Sequence, residues 1–100
     1  MGKQRQKVEI GGNLLPAFKP EYNNFFKEDL KAFTKDRIFL ERVRRRIFKV
    51  LENPEHHGVH AGGKIRCRWL AGVGNFYIVY SIHKESSIVC FLRFLDIDDV

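Results

Sequence analysis

No apolar run in the 100 residues approaches the roughly 20 that a helix needs to cross a bilayer. The opening Met1-Gly2-Lys3-Gln4-Arg5 is not followed by the apolar stretch of a secretory signal. Both absences lead to the expectation of a cytoplasmic protein. Cysteine is scarce. The two present, Cys67 and Cys90, fall in the first and third strands of the meander argued below. Strands two apart stand about 10 Å from each other, beyond the Cα reach of a disulfide, about 7 Å, so free thiols are expected. There is no internal repeat, no low-complexity tract, no glycine loop able to cradle a phosphate and no serine-nucleophile motif. Acidic residues are the minority: 12 Asp and Glu against 18 Lys and Arg leave a formal charge of +6, which favours a polyanion or an acidic protein as partner.

What is present suits one globular domain. A chain 44% hydrophobic and 13% aromatic can build a single modest core at this length. Residues 1–13 carry three cationic side chains and end in Gly11-Gly12-Asn13, so they read as a polar arm, and residues 14–100 as the domain. Residues 14–18 form a plausible first strand, at an edge because Pro16 has no N–H to donate. Pro20 suits the first turn of a helix, and Tyr22, Phe25, Phe26, Leu30 and Phe33 follow at helical spacing. Thr34 or Asp36 can cap a second helix. Its apolar line of Leu40, Val43, Ile47, Val50 and Leu51 ends at Asn53-Pro54. Between positions 35 and 49 this helix carries seven basic residues against two acidic ones, an outer face with the charge of an anion-binding surface.

The C-terminal third reads as a three-stranded antiparallel meander with a cationic first strand. In Lys64-Ile65-Arg66-Cys67-Arg68 a period of two puts Lys64, Arg66 and Arg68 on one face. The glycine-bearing residues 71–75 connect it to Phe76-Tyr77-Ile78-Val79-Tyr80-Ser81-Ile82, aromatic and β-branched almost throughout, as in a central strand buried on both faces. After the polar turn 84–87 comes Ile88-Val89-Cys90-Phe91-Leu92-Arg93-Phe94-Leu95. Arg93 here shares a face with Val89, Phe91 and Leu95, and so needs an ion-pair partner such as Asp96 or Asp98, or a phosphate. Trp69 is expected to cover the end of the core. His56, His57 and His60 lie in a loop whose spacing matches no structural zinc set, so neither a metal nor another cofactor is expected.

These segments in this order, "FKPEYNNFFKEDL", "VLENPE", "GGKIRCRWL", "NFYIVYSI" and "VCFLRF", resemble the RelE/ParE superfamily of toxin–antitoxin toxins over residues 14–96. The resemblance implies an α+β fold: one N-terminal strand, two helices, then the three-stranded meander with the helices on one face of the sheet. It also implies the toxin of a toxin–antitoxin module, with a cognate antitoxin as partner. In the RelE branch such toxins inhibit translation, entering the ribosomal A site and cutting mRNA without a metal by attack of a ribose 2′-hydroxyl on the neighbouring phosphate. Lys64, Arg66 and Arg68 match the branch's basic strand. Arginine forks suit phosphate oxygens but their pKa is too high for a base, so Lys64 is the better base candidate. Tyr77 stands where relatives often carry a basic residue and can donate a proton or stack on a base. Arg93 is a further phosphate candidate, and His83 shares the Tyr77 face. The acidic Asp96-Ile97-Asp98-Asp99 replaces the branch's terminal basic or histidine residue, and its usual tyrosine is absent up to Val100. These departures point to an alternative, a ParE-like gyrase inhibitor or a toxin-like protein that only binds.

Overall fold

A computed structural model of the chain describes residues 17–33, 35–61 and 68–99. The polar arm, residues 14–16 of the expected first strand, and Lys64, Arg66 and Cys67 lie outside the described residues. Among the described residues, the elements are β1 (Lys19–Tyr22), α1 (Asn24–Phe33), α2 (Arg37–Glu52), β2 (Val59–His60), β3 (Trp69–Val73), β4 (Phe76–His83) and β5 (Ile88–Asp96), closed by a 3₁₀ turn at Ile97–Asp99. The strands form one five-stranded sheet in the order β1-β5-β4-β3-β2, with β1 parallel to β5 and the other pairs antiparallel. The fold is therefore α+β with two helices, but its sheet is larger than an isolated strand plus a three-stranded meander.

Residues 17 and 18 precede the first described strand and are not part of it, and Pro20 does not open a helix. Lys19–Tyr22 pairs with β5, and Asn23 caps α1 by accepting from the Phe26 N–H at 2.8 Å. Proline is tolerated because β1 is an edge strand whose odd residues face β5: Lys19 donates to the Ser87 carbonyl and Asn23 to that of Phe91. Position 20 alternates with these and would point its N–H away from the sheet. The second helix follows its sequence pattern closely. Asp36 accepts from Ile38 N at 2.9 Å, Asn53 closes the other end, and Val43, Ile47, Val50 and Leu51 face inward. Pro54 beyond it accepts a 2.7 Å hydrogen bond from the buried Tyr80 hydroxyl, and burial pushes the Tyr80 pKa up to about 12.

Residues 71–73, expected to be a connection, belong to β3. Ala71 and Val73 are buried in the core, while Gly72 on the other side faces Tyr77. Glycine weakens a strand interior, yet here the Tyr77 ring lies beside it, 3.7 Å from where a β-carbon would stand. The turn is reduced to Gly74-Asn75, with Gly74 at φ +59°, a conformation glycine adopts without steric cost. The histidine loop likewise contains a short strand, since Val59 and His60 pair with Leu70 and Trp69. Trp69 covers the edge of the core, its ring 5.0 Å from His60 and 6.4 Å from Tyr80.

In β5, Val79 faces Arg93 but Tyr80 faces Phe91, so Leu92 is an extra residue that bulges the strand. The bulge shifts the alternation: Phe91 and Phe94 are both fully buried, and Arg93 turns away from Phe91 onto the face that carries Val79. Its partner is neither Asp96 nor Asp98 but Asp29 of α1. Arg93 Nε donates to Oδ2 at 2.7 Å and Nη2 to Oδ1 at 3.1 Å. The same Oδ2 accepts from the Phe94 N–H at 2.9 Å, on the stretch of β5 that runs beyond β1. Asp96 instead accepts from the Asp98 N–H within the closing turn.

Burial alone would raise the Asp29 pKa, but the Arg93 and Phe94 hydrogen bonds and the Arg93 charge outweigh it and hold the carboxyl below its ordinary value. A lowered folded pKa contributes stability that is present above about pH 4 and lost as pH falls through the folded value. Asp29→Ala should therefore cost about 2 kcal/mol in urea unfolding at neutral pH. Asp29→Asn, which can still accept from Phe94, should cost less and lose less stability than wild type below pH 4.

Candidate nucleic-acid interface

Both helices pack on one face of the sheet, where Phe26, Val43, Ile47, Val50, Ile78, Tyr80, Phe91 and Phe94 form the core. The opposite, open face carries the alternate residues. The β3–β4 register places Leu70 beside Val79 and Gly72 beside Tyr77. One step further it brings Arg68 level with Ser81, where the Arg68 carbonyl accepts from the Ala61 N–H at 2.8 Å. On the other side of β4, Ser81 faces Cys90 and Tyr77 faces Leu95, and Glu21 of β1 continues the Ser81–Cys90 row.

Three of the five sequence candidates thus share the open face, but they do not converge. Arg68 and Tyr77 stand four strand positions apart, about 13 Å. Arg93 lies between them along the sheet, opposite Val79. Two nitrogens of Arg93 are engaged by Asp29, and its guanidinium carbon lies 5.7 Å from the centre of the exposed Phe25 ring. Lys64 and Arg66 fall outside the described residues. The half-buried Tyr77 sits near the acidic closing turn, because Phe76 pairs with Asp96.

Two positions beyond Ser81 on the same face of β4 stands His83, whose Nε2 shares a 3.1 Å hydrogen bond with the buried Ser81 Oγ. The period of two in the sequence already put His83 and Ser81 on one face. Their pairing had no separate signature. Cys90 donates to Glu21 Oε1 at 3.4 Å, and burial, then the Glu21 hydrogen bond and charge, raise its pKa above the ordinary thiol value. Cys90 is a free thiol. Among the described residues no three His, Cys, Asp or Glu side chains form a metal-binding group, and no helix is long and apolar enough to cross a membrane.

No family model matches the chain, and no curated protein matches its sequence. Solved structures match its fold. The RelBE2 toxin–antitoxin complex of Mycobacterium tuberculosis contains a chain that superposes with a TM-score of 0.70 at 19% identity, over 80% of this chain and 98% of that one. The archaeal RelE–RelB complex of Pyrococcus horikoshii OT3 gives 0.62 at 12% identity, over 80% and 94%. YafQ of E. coli strain BL21(DE3) gives 0.60 at 15%, over 82% and 96%. The chain has the fold of RelE- and YafQ-type toxins.

The raised Cys90 pKa keeps little thiolate at neutral pH, so in a Cys67→Ser background alkylation by iodoacetamide should be slow at pH 7.5. Replacing the acceptor, Glu21→Gln, should speed it several-fold by restoring thiolate.

Proposed function

We propose that this chain is the toxin of a toxin–antitoxin module and cuts mRNA on the ribosome without a metal. The observation that carries the reading is the RelE-type fold with a cationic residue, Arg68, just ahead of β3 and level with Ser81 of the open face, in a sequence that runs back through Arg66 and Lys64. In this reading Arg66 and Arg68 hold the scissile phosphate by paired N–H donors and offset the charge that grows on it. Lys64 takes the proton of the ribose 2′-hydroxyl, whose oxygen forms the new bond to phosphorus. The P–O5′ bond breaks, the leaving oxygen receives a proton from Tyr77, and a 2′,3′-cyclic phosphate and a 5′-hydroxyl result. Arg93 steadies the phosphate through the nitrogen left free of Asp29.

An antitoxin would hold the protein inactive. The exposed Phe25, Ile38 and Val59 offer apolar anchors for such a chain, and the net charge of +6 favours an acidic one. The neighbours above are RelE and YafQ toxins, and nothing in them favours the gyrase-inhibiting alternative. The degenerate, purely binding alternative draws on the spread of Arg68 and Tyr77 and on the engagement of Arg93 by Asp29.

Purified protein added to ribosomes programmed with mRNA should leave fragments ending in 2′,3′-cyclic phosphate. Lys64→Ala and Arg66→Ala should each slow cleavage by about 10²-fold or more. Uncut mRNA, or variants as active as wild type, would leave the binding reading standing.

A further inference from the structure

Charge runs along α2 on the helix side of the sheet, behind the face that carries Arg68 and Tyr77. Arg42, Arg45, Arg46 and Lys49 follow one another at spacings that keep them on one line over about 10 Å of helix. With Gly72, Val73 and Gly74 of the β3–β4 hairpin they line a groove of about 270 Å³ that contains no acidic residue. Among the described residues none of these four cations forms an ion pair and the buried Nε of Arg46 has no hydrogen-bond partner. The nearest acidic residue on the helix, Glu41, lines the neighbouring groove beside Arg42 and Arg45 without forming an ion pair among the described residues. The field of the cations is felt at His57, whose pKa is lowered by burial and then by His56, Arg46 and Lys49.

A second groove of about 370 Å³ continues from the first across Gly74 and shares Arg42 with it. Its wall is aromatic. Phe76 lies between Phe33 at 5.1 Å and Phe39 at 5.6 Å, and Phe33 is 42% exposed. Arg42 sits 5.8 Å from the Phe39 ring centre, and Asp36 and Asn75 add polar groups at the rim. Gly74 keeps the saddle between the grooves low, since a side chain there would crowd the Phe39 ring at 3.3 Å.

We propose that these joined grooves bind single-stranded RNA, with phosphates on the α2 cations and a base against the Phe33–Phe76–Phe39 trough. Three of the four cations are arginines, whose planar forks match phosphate oxygens. An acidic protein segment would satisfy the cations but has no use for the aromatic trough, whereas every base has a face to stack. The site extends along RNA beyond the open face and does not depend on cleavage.

The test is fluorescence anisotropy of the full chain with a labelled 2′-O-methyl oligouridylate of about 10 nucleotides. The methyl group removes the nucleophile, so binding is read separately from any failure to cut mRNA. Arg42→Ala with Arg45→Ala should weaken binding at least about tenfold and flatten the salt dependence by about 1.4 in log–log slope, for two phosphates released. Phe33→Ala should weaken it about 5- to 150-fold with the slope unchanged. Phe33→Leu, which keeps most of the apolar packing against Phe76 and Phe94, should behave the same way while melting closer to the wild-type temperature than Phe33→Ala, and both are compared below their unfolding transitions. The His57 titration, followed by NMR, should move to higher pH when the oligonucleotide binds. Binding indifferent to all these changes overturns the proposal. So does weakening by the arginine pair alone, which marks an anion site without base contact, or an oligoglutamate peptide that binds as tightly and displaces the RNA.

Discussion

Phe91 and Phe94 are both fully buried although they are three residues apart on one strand. A strand with strict alternation cannot turn both to the same face. The extra residue Leu92 resolves the conflict by shifting the phase of β5, and much of the architecture follows from that shift. Phe91 stacks against Tyr22 at 5.3 Å and packs near Phe26, while Phe94 stacks on Phe76 at 4.9 Å. The two halves of the strand thus anchor different parts of one aromatic core, one under β1 and α1, the other under the β3–β4 hairpin and the start of α2.

The bulge also determines what the edge of β5 requires. Beyond Phe91 the strand has left its parallel partner, and the Phe94 N–H would be an open edge donor. Asp29 accepts it and clasps Arg93 with the same carboxylate, so one side chain closes the edge and locks α1 against the sheet. A cation that strict alternation would have sent into the core becomes a bridge between helix and strand.

The sheet separates two kinds of surface. The open face holds Tyr77 and the Ser81–His83 pair of β4, with Arg68, just ahead of β3, level with Ser81. The helix side holds the cationic line of α2 beside the glycines of the hairpin. Both surfaces suit anions, and the acidic closing turn folds back on itself by bonding Asp98 to Asp96. Repulsion among the cations of α2 is tolerated because most of them are solvent-exposed and screened.

What the sequence by itself determined was local. The limits of α2 follow from Asp36 and Asn53-Pro54, its inward stripe from apolar spacing, and β4 and β5 from dense aromatic and β-branched runs. Each of these signals acts within a few residues, through capping bonds or side-chain periodicity. The tertiary structure decided the rest. Lys19–Tyr22 became a strand because β5 offered it partners, despite a proline that suits a helix start. Residues 71–73 became strand because Tyr77 lies beside Gly72. Arg93 found Asp29, 64 positions away in sequence, because α1 lies beside the edge of β5 that β1 leaves unpaired. The cations of α2 meet Gly74 and the aromatic trough only where helix and hairpin pack together. Such contacts depend on which surfaces the core brings face to face, and no spacing along the chain encodes that juxtaposition.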